Sequence, residues 1–325
     1  MEAIILVGGL GTRLRPLTNT IPKPLLPLAN VPMVERMVKN LPEVFDTAIL
    51  AVNYGLEEMQ EYFAKRDIGK KVIIVPEEEP LGTGGAMRNC IDHITGTTAV
   101  FNGDVVSSVD LNKMLEKHIK MKAKGTLALW EVDDPSRFGV VELKNGQILQ
   151  FQEKPESGTE LSNLINAGTY LLEPEVLETI PPNQKVSIER DIYPKIAGNG
   201  LYGFPFEGYF IDSGTPESYL DANFKSIGST GTASHTGASI RGPVVIHETA
   251  QLEDCIIGPN TIIGADVKME KCVVRNSVIL SDVKGYGGVV ENCILGPEIN
   301  FESDLKRTLI SVSYTHLTLP TILLV

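Results

Sequence analysis

Short apolar runs separated by amphipathic segments dominate the first two thirds of the 325-residue chain. A helical pattern over residues 56–65 follows the second of these runs. Buried strands that alternate with helices are typical of a mainly parallel sheet covered on both faces. Ligands bind such sheets beyond the carboxyl ends of the strands, where Gly8, Gly9 and Asp104 fall. The predicted strands are residues 3–7, 48–52, 72–75 and 99–101.

Two further features complete the pattern of this region. Predicted strands at residues 140–143 and 148–151 flank an Asn-Gly pair at residues 145–146, which predicts a two-residue hairpin. Thr-Pro-Glu at residues 215–217 combines an N-cap residue, a first-turn proline and an acidic first turn. We expect a helix from there to about residue 224.

The hydrophobic pattern changes after a segment rich in Gly, Ser and Thr at residues 226–239, which we interpret as a linker. Short strings then repeat, which predicts a stacked β-solenoid whose coils bury their apolar faces against one another. The spacing of the third copy predicts a four-residue insertion at residues 285–288. We expect Cys255, Cys272 and Cys293, which hold the same place in three copies, to stack as small buried side chains. The copies are LEDCII (252–257), MEKCVV (269–274), VENCIL (290–295) and a fainter LKRTLI (305–310).

These patterns divide the chain into an α/β domain over residues 1–225, a linker over 226–239 and a solenoid over 240–311. The final stretch breaks the repeat abruptly. Its sequence VSYTHLTLPT resembles the translated end of a transposon-based sequencing adapter. We therefore expect residues 312–325 to be read-through that is not native, and His316 to have no functional role.

Composition narrows the function classes. A net charge of -12 repels a phosphate backbone, so we expect no nucleic-acid binding, although a local basic pocket can still bind a small phosphate ligand. No apolar run has the length of a membrane span, and the N-terminus has no charged region or cleavage site of a signal peptide. The 4 cysteines form no CxxC pair. We expect a cytoplasmic protein that does not bind membranes.

The strongest chemical signal is the glycine-rich segment after the first strand. Glycines at positions 8, 9 and 11 let the backbone approach a phosphate and direct N–H groups towards it. Arg13, and Lys23 within a Pro-Lys-Pro sequence, add positive charge. Two rival phosphate motifs do not fit: a Walker A loop requires Lys after the last glycine, where Thr12 stands, and a dinucleotide fingerprint requires a third glycine near Arg13.

This segment resembles the opening motif of the sugar-1-phosphate nucleotidyltransferases, and the resemblance extends to about residue 224. It implies a Rossmann-like domain with a mainly parallel mixed sheet, and in this family a C-terminal left-handed parallel β-helix of hexapeptide repeats is common. A departure is FIDS at residues 210–213, where relatives usually carry Trp before and Ile after the aspartate. The other matching motifs are EPLGTGG (79–85), FNGD (101–104), FGVV (138–141), EKP (153–155), INAG (165–168) and GYFID (208–212).

The resemblance implies that a sugar-1-phosphate oxygen attacks the α-phosphorus of a nucleoside triphosphate and releases pyrophosphate, with Mg²⁺ bound by Asp104 and Asp212. The implied catalytic residues are Arg13, Lys23 and Lys154. The implied nucleotide-binding residues are Leu6, Gly8, Gly9, Gly11, Thr12, Arg13, Lys23, Glu77, Pro80, Gly82 and Thr83. The implied sugar-phosphate-binding residues are Gly139, Glu153, Lys154, Asn166 and Gly168.

Finer features of the sequence indicate which nucleotide base and which sugar the substrates carry. Relatives place a base-facing residue at the position of Glu77, and a carboxylate there or at Glu78 can accept both N1–H and N2–H of guanine, which favours GTP. The segments at residues 163–168 and 187–194 look closest to mannose-1-phosphate guanylyltransferases. We also expect a homo-oligomer formed through the β-helix.

Three alternatives remain open at this point. The first is a glucose-1-phosphate uridylyl- or thymidylyltransferase. The second is a non-catalytic subunit that binds a nucleotide sugar and regulates a partner, although such a protein is expected to have lost signature residues that are all present in this chain. The third is a second activity in the solenoid, which offers His235 and His247; an isolated histidine in a linker or turn is more often structural.

Overall fold

The computed structural model describes residues 1–228 and 234–311. The predicted read-through segment 312–325 lies outside the described residues, as does part of the predicted linker. Contacts divide the chain into two compact units. Unit 1 comprises Met1–Gly9 and Val34–Phe210, and unit 2 comprises Leu10–Met33 with the described residues from Ile211 onward. The domain boundaries drawn from the sequence stay a prediction.

Strands and helices alternate along residues 1–228. The strands are β1 (Glu2–Leu6), β2 (Pro27–Leu28), β3 (Val31–Pro32), β4 (Thr47–Val52), β5 (Lys71–Pro76), β6 (Thr98–Asn102), β7 (Val105–Ser107), β8 (Gly125–Glu131), β9 (Gly139–Lys144), β10 (Gln147–Glu153), β11 (Leu164–Leu172), β12 (Leu201–Pro205) and β13 (Phe210–Asp212). The α-helices are α1 (Met33–Lys39), α2 (Leu56–Ala64), α3 (Gly82–Asn89), α4 (Leu111–Met121), α5 (Pro174–Glu178), α6 (Tyr193–Ile196) and α7 (Pro216–Ile227).

Unit 1 is built on a nine-stranded mixed sheet with the order β5-β4-β1-β6-β11-β8-β12-β10-β9. Strands β5, β4, β1 and β6 run parallel, and β11 is antiparallel to β6 and β8. Ile4, Ile49 and Val100 are fully buried in neighbouring strands because both faces of the sheet are covered. The predicted Rossmann-like α/β fold, its four strands and the helix at α2 are confirmed.

Local turn chemistry explains two of the predicted elements. In the β9–β10 hairpin, Asn145 and Gly146 have φ angles of 53° and 80°, as a turn with two left-handed residues requires. At the start of α7, the Thr215 side chain accepts a hydrogen bond from the Ser218 N–H at 3.3 Å, and the Ser218 hydroxyl accepts one from the Thr215 N–H at 3.0 Å. This reciprocal cap confirms the predicted helix start.

The solenoid part of unit 2 consists of three stacked parallel sheets, as expected of a left-handed β-helix. Each of the first four coils contributes one strand to each sheet, and the last described coil contributes β26 and β27 to two of them. Residues such as Ile257, Val274 and Ile279 fill the interior. The strands are β14 (Ala238–Ile240), β15 (Val244–Ile246), β16 (Gln251–Glu253), β17 (Cys255–Ile257), β18 (Thr261–Ile263), β19 (Lys268–Glu270), β20 (Val273–Arg275), β21 (Ser277–Ile279), β22 (Lys284–Tyr286), β23 (Val289–Glu291), β24 (Ile294–Leu295), β25 (Asn300–Phe301), β26 (Leu305–Lys306) and β27 (Leu309–Ile310).

The prediction that three cysteines stack in one column is wrong for Cys293. Cys255 and Cys272 occupy neighbouring coils of one sheet, where Ile256 pairs with Val273. Cys293 lies in a different sheet, and its N–H donates to the Ser277 hydroxyl at 3.0 Å. All four cysteines are buried and free of disulfides.

The register of the coils gives the reason for this error. Lys268 pairs with Lys284 and Val273 with Val289, so the chain contains no four-residue insertion between these coils. The third copy of the string is instead displaced by one strand around the coil, because a Cys-Ile-Leu sequence fits the apolar interior on more than one side of the triangle. The fourth copy pairs in register with the third, since Val290 pairs with Leu305.

No helix in residues 1–228 and 234–311 combines the length and the hydropathy needed to cross a membrane.

Candidate active site

In unit 1, the carboxyl end of β1 leads into a backbone that its neighbours approach closely. Half-buried Leu6 ends the strand, and a β-carbon on Gly8 would lie 3.1 Å from Cβ of Asn53 and 3.5 Å from Oε1 of Glu77. Gly9 has open space around its Cα, with nothing within 4 Å of a β-carbon. The fold therefore places the bare backbone of Gly8 beside Asn53 and Glu77, and it leaves open space for a ligand at Gly9.

Glu77 is half-buried and its carboxylate is oriented by the backbone. Its Oε2 accepts a hydrogen bond from the Leu81 N–H at 3.0 Å, and its carbonyl oxygen accepts one from the Asn53 amide at 3.3 Å. Burial raises the pKa of Glu77, and the Leu81 N–H opposes that rise in part. Glu78 is exposed, so Glu77 is the better placed of the two predicted base-contacting residues.

The glycine-rich motif that opens α3 packs against the chain's own backbone. Gly82 has a φ of 70°, and a β-carbon there would lie 2.7 Å from the Val186 carbonyl oxygen. That oxygen accepts hydrogen bonds from the N–H groups of Gly84 and Gly85 at 2.9 and 3.3 Å. The Thr83 hydroxyl donates to Glu189 Oε2 at 2.6 Å. These groups serve close packing; nucleotide contacts by Gly82, Thr83 and the exposed Pro80 stay predictions.

Asp104 stands in the turn between β6 and β7. The preceding residue, Gly103, donates its N–H to the Leu6 carbonyl oxygen at 3.0 Å. A β-carbon on Gly103 would lie 2.6 Å from the same oxygen, so a larger residue would push the turn away from β1. The backbone turn that carries Asp104 is thereby held next to the end of β1, at the edge of the sheet where the sequence predicts a ligand.

The predicted sugar-binding residues cluster around the end of β10. Glu153 pairs with Gly139 across the hairpin, and a β-carbon on Gly139 would lie 2.9 Å from Glu153 Oε2 and 2.5 Å from Cζ of Phe151. Burial raises the pKa of Glu153, and so does the nearby carboxylate of Glu189, whereas Lys154 lowers it. Gly139 is thus the residue that leaves space for the Glu153 carboxylate.

Lys154 follows Glu153 in a strained backbone conformation. Its φ is 49°, in the left-handed region that a lysine rarely adopts, and its N–H donates to the Phe138 carbonyl oxygen at 2.9 Å. Its ammonium lies 3.9 Å from Glu153 Oε1 and its side chain is 58% exposed. A backbone strain of this kind is often retained at functional positions, and in this hairpin it turns a cation out of the ladder towards solvent.

Asn166 and Gly168 form an irregular segment of β11. The Asn166 amide donates to the Tyr170 hydroxyl at 3.0 Å, and its oxygen accepts from the Gly168 N–H at 3.1 Å. Gly168 has a φ of 67°, and a β-carbon there would lie 2.8 Å from the Asn102 side-chain nitrogen. Burial raises the pKa of the Tyr170 hydroxyl well above its usual value, so the hydroxyl that accepts the Asn166 amide hydrogen stays neutral.

Sequence reasoning missed three polar residues of this region, namely Asn53, Asn102 and Glu189. Asn53 directly follows the predicted strand at residues 48–52, so its position alone was a usable signal. Asn102 belongs to the FNGD motif, in which only the aspartate received a role. Glu189 could not have been assigned, because only the fold brings it to Thr83 and close to Glu153.

In unit 2, the glycine-rich segment continues as three successive 3-10 turns, and the predicted lysine begins the last of them. Gly11 has a φ of 60°, and its carbonyl oxygen accepts a hydrogen bond from the Thr18 hydroxyl at 2.8 Å. A β-carbon on Gly11 would lie 3.0 Å from Cβ of Lys23. Thr12 and Arg13 are exposed, whereas Lys23 is 7% exposed. The turns are Thr12–Leu14, Leu17–Asn19 and Lys23–Leu25.

The β2–β3 hairpin that follows Lys23 is anchored at three points. The Tyr219 hydroxyl donates to the Pro27 carbonyl oxygen at 2.5 Å, and the fully buried Asn223 accepts from the Ala29 N–H at 2.9 Å. The Asn30 amide donates to the Ile263 carbonyl oxygen of β18 at 2.8 Å. Helix α7 and a coil of the β-helix therefore hold the segment that carries Lys23.

The side chains of Arg13 and Asp212 both lie next to Gly214, in space that is open because glycine has no β-carbon. A β-carbon on Gly214 would overlap Nη2 of Arg13 and would lie 2.9 Å from Oδ1 of Asp212. The guanidinium and the carboxylate thus both lie against a bare backbone just before α7. A cation beside a carboxylate can hold a phosphate oxygen and a metal ion next to each other.

The predicted metal ligands are compatible with a hard cation. Asp104 and Asp212 offer carboxylate oxygens, which Mg²⁺ prefers, and Mg²⁺ commonly takes only one or two of them together with substrate phosphates. Among the residues that the structure describes, no group of three or more Asp, Glu, His or Cys side chains could hold a metal by itself.

Known proteins resemble this chain over most of its length. Residues 2–227 match the family model of nucleotidyl transferases. A mannose-1-phosphate guanylyltransferase of Arabidopsis thaliana is 36% identical over 94% of this chain and 93% of its own length. One from Mycobacterium tuberculosis is 34% identical, over 86% of this chain and 80% of its own. The crystal structure of HddC from Yersinia pseudotuberculosis, complexed with GMP-PN, is 32% identical with a TM-score of 0.59, over 69% of this chain and 99% of that chain.

The Gly214 position generates a first prediction. Gly214→Ala should displace Arg13 or Asp212 and lower kcat/KM for nucleotidyl transfer about 100-fold, since a misplacement of about 1 Å costs that much. Pyrophosphate release measures the effect. Gly96→Ala is the matched control, because a β-carbon on Gly96 meets nothing within 4 Å. Equal activity of the two variants would contradict the assignment.

The hairpin anchor generates a second prediction. Asn30→Gly keeps the left-handed turn, which glycine adopts freely, and removes only the bond to Ile263. Because Lys23 is held by this hairpin, KM for the nucleoside triphosphate should rise roughly 2- to 10-fold, the effect of one net hydrogen bond, while KM for the sugar phosphate stays unchanged. Asn145→Gly, at an exposed hairpin turn with a φ of 53°, is the control. A thermal destabilisation without a selective change in KM would refute the positioning role.

Proposed function

The chain belongs to the nucleotidyl transferase family, and we propose that it transfers a guanylyl group from GTP to mannose 1-phosphate, forming GDP-mannose and pyrophosphate. The observation that carries the choice of guanine is the Glu77 carboxylate, which lies beside the bare backbone of Gly8 and is fixed by the Leu81 N–H. Curated relatives that carry the name mannose-1-phosphate guanylyltransferase support the choice of sugar.

The chemistry requires alignment of two anions more than it requires a reactive side chain. An oxygen of the sugar phosphate attacks the α-phosphorus in line, the bond to the pyrophosphate oxygen breaks, and no covalent enzyme intermediate forms. Arg13 and Lys23 are proposed to hold the triphosphate and the departing pyrophosphate. Gly8, Gly9, Gly11 and Thr12 are proposed to leave backbone N–H groups within reach of the same oxygens.

A divalent metal is usual in this family, and we propose Mg²⁺ bound by Asp104 and Asp212. The metal would neutralise charge on the phosphate oxygens that the two carboxylates cannot themselves approach without repulsion. Arg13 beside Asp212 fits this assignment, because the guanidinium offsets the carboxylate charge and still leaves donors for phosphate.

Glu153 and Lys154 are proposed to divide the recognition of the sugar phosphate. The exposed ammonium of Lys154 binds the phosphate, and the Glu153 carboxylate, kept accessible by Gly139, accepts hydrogen bonds from sugar hydroxyls. Asn166 and Gly168 shape the same end of the sheet. Burial and the Glu189 carboxylate raise the pKa of Glu153. The Glu153 carboxylate therefore becomes a weaker hydrogen-bond acceptor for the sugar hydroxyls as the pH falls through that raised pKa.

Two alternatives are separated by the same assay. A uridylyl- or thymidylyltransferase would release pyrophosphate faster with UTP or dTTP than with GTP. A non-catalytic sensor would bind nucleotide without release, but the present chain keeps Arg13, Lys23, Asp104, Lys154 and Asp212. We further propose a cytoplasmic location, which suits the free thiols, and association with a second copy through the β-helix.

The direct test is pyrophosphate release with each triphosphate and mannose 1-phosphate in the presence of Mg²⁺. We expect GTP to be preferred, and Glu77→Gln to lower the ratio of kcat/KM for GTP over UTP by roughly 10- to 100-fold, because one charged acceptor for guanine is lost. Glu78→Gln, at an exposed neighbour, should leave the ratio unchanged. No release with GTP and mannose 1-phosphate would refute the proposed function.

The same substitution has a pH signature. A raised pKa means that Glu77 gains a proton at a higher pH than an ordinary glutamate, and the protonated form offers guanine fewer acceptors. KM for GTP should therefore rise as the pH falls through this raised pKa, and the rise should be absent in Glu77→Gln.

The metal assignment has its own test. Asp104→Asn keeps the shape of the side chain and removes its charge, so kcat should fall about 100-fold or more and the Mg²⁺ concentration for half-maximal activity should rise. Asp92→Asn, an exposed aspartate of the same unit, serves as the control. Undiminished activity of Asp104→Asn would remove this residue from the metal site.

A further inference from the structure

Glu189 is a half-buried glutamate of unit 1, and none of the binding roles predicted from the sequence falls on it. It lies in the π-helical turn Ile188–Ile192, which packs against β10 and against α3. Because β10 ends in Glu153, the fold brings two glutamates from distant parts of the sequence to one end of the sheet. π-helical turns are rare and occur frequently at functional sites.

Two hydroxyl groups fix the Glu189 carboxylate, and both bind the same oxygen. The Thr83 hydroxyl donates to Oε2 at 2.6 Å, and the Ser187 hydroxyl donates to it at 2.8 Å. The Thr83 hydroxyl is itself oriented, because it accepts a hydrogen bond from the Ile188 N–H at 3.0 Å. In the part of the chain that the structure describes, Oε1 of Glu189 accepts no hydrogen bond. One oxygen is thus held in place while the other keeps its lone pairs for a ligand.

The charge of Glu189 acts on groups at the predicted sugar-binding end of the sheet. Burial is the main cause that raises the pKa values of Glu153 and Tyr170, and the Glu189 carboxylate raises both of them further. The Tyr170 hydroxyl also accepts a hydrogen bond from the Asn166 amide at 3.0 Å. Glu189 therefore belongs to the same cluster as Glu153 and Asn166, two residues that the sequence predicts to bind the sugar phosphate.

The same cluster contains a buried hydroxyl that has no partner among the described residues. Tyr193 is fully buried, and its ring centroid lies 5.5 Å from that of Tyr170 and 5.4 Å from that of Phe151. Its hydroxyl oxygen forms no hydrogen bond with the described part of the protein. Burial, Tyr170 and Glu189 raise the pKa of this hydroxyl, so it stays neutral and keeps a hydrogen to donate. Buried polar groups are rarely left unpaired, so this hydroxyl indicates a place for a polar ligand.

The ligand that suits this cluster is a neutral compound with several hydroxyl groups. Two carboxylates that repel each other favour a ligand that donates to both, and hydrogen bonds to charged acceptors are about twice as strong as neutral ones. A cation is less suitable, because Lys154 and Arg190 already place positive charge near Glu153 and lower its pKa against the effect of burial. A phosphate is excluded by the like charge of the carboxylates. The hydroxyl groups of a sugar ring meet these requirements.

We propose that Glu189 is a second sugar-recognising carboxylate, whose Oε1 accepts a hydrogen bond from one hydroxyl of the hexose while Glu153 accepts from another. The inference rests on the proposed function and deepens it, since it assigns Glu189 to the sugar ring and not to the phosphate. A site built to bind a hydroxyl rejects the analogue that lacks it, because the polar group of the site is then left unpaired. Glu189 therefore determines specificity among hexose 1-phosphates.

The first part of the test compares pyrophosphate release by the wild-type chain and by Glu189→Gln, with GTP and mannose 1-phosphate. The amide oxygen of the glutamine can still accept from Thr83 and Ser187, whereas the position of Oε1 loses its charge. We expect kcat/KM for mannose 1-phosphate to fall roughly 10- to 100-fold, the effect of one hydrogen bond to a charged group, while KM for GTP stays unchanged. Glu178→Gln, at an exposed position of α5, is the matched control and should equal the wild type.

The second part uses analogues of mannose 1-phosphate that each lack one hydroxyl group. The analogue without the hydroxyl that Glu189 binds should lower kcat/KM of the wild type and cost Glu189→Gln little more, because that contact is already lost. Every other analogue should lower kcat/KM of both chains by the same factor, as expected for groups that do not interact. A purely structural role would give Glu189→Gln the same defect with all analogues, and this result would overturn the proposal. Undiminished activity of Glu189→Gln would do the same.

Binding separates this inference from the proposed function. If the wild-type chain releases no pyrophosphate, the proposed function fails, and calorimetry with GDP and GDP-mannose decides the role of Glu189 without turnover. Glu189→Gln should then bind GDP as the wild type does and bind GDP-mannose roughly 10- to 100-fold more weakly. Equal affinities of the two chains for GDP-mannose would refute the contact. A parallel loss for GDP and GDP-mannose would also refute it, because the defect would then not depend on the sugar.

Discussion

At several points of the candidate site, a side chain or a carbonyl oxygen occupies the place where a β-carbon would have to be. Gly103 leaves room for the Leu6 carbonyl oxygen, Gly139 for the Glu153 carboxylate, and Gly214 for both Arg13 and Asp212. These charged groups thus lie in close approach to bare backbone. In each unit, this constraint holds charged side chains against backbone that has no β-carbon, and preorganised charges of this kind are what a site for anions requires.

The second support is a buried hydrogen-bond network in unit 2. Asn223 has no exposed surface, accepts from the Ala29 N–H and donates to the Tyr219 carbonyl oxygen at 3.0 Å. An unsatisfied amide at this depth would be costly, so the network strongly favours one placement of the β2–β3 hairpin. Since α7 also begins just after Asp212, a single helix fixes the surroundings of both Lys23 and Asp212. The bond from Asn30 to Ile263 adds the β-helix to this support.

In the β-helix, the interior tolerates a shift of the repeated string from one sheet to the next. Cys293 replaces Ser277 in its column and Gly288 stands in the column of Cys272, yet the coils still stack because small side chains fill either place. On the outside, the same register aligns Lys268 with Lys284 and Glu253 with Glu270. Stacking therefore converts weak repeats in sequence into continuous columns of charge.

The sequence by itself determined those elements that depend on interactions between neighbouring residues. Apolar runs bounded by glycine, the Asn-Gly turn and the Thr215 cap depend on neighbouring residues, so the strands, the hairpin and α7 were predictable, as was the family from its ordered motifs. The register of the coils was not predictable from the sequence. A Cys-Ile-Leu string fits several sides of the solenoid, and only the pairing of strands between coils selects one of them. The tertiary structure also decided that Gly82 and Thr83 pack against residues 184–189, that Glu189 comes close to Glu153, and that Asn30 reaches Ile263. These contacts join residues far apart in the chain, and no local pattern encodes which distant groups meet.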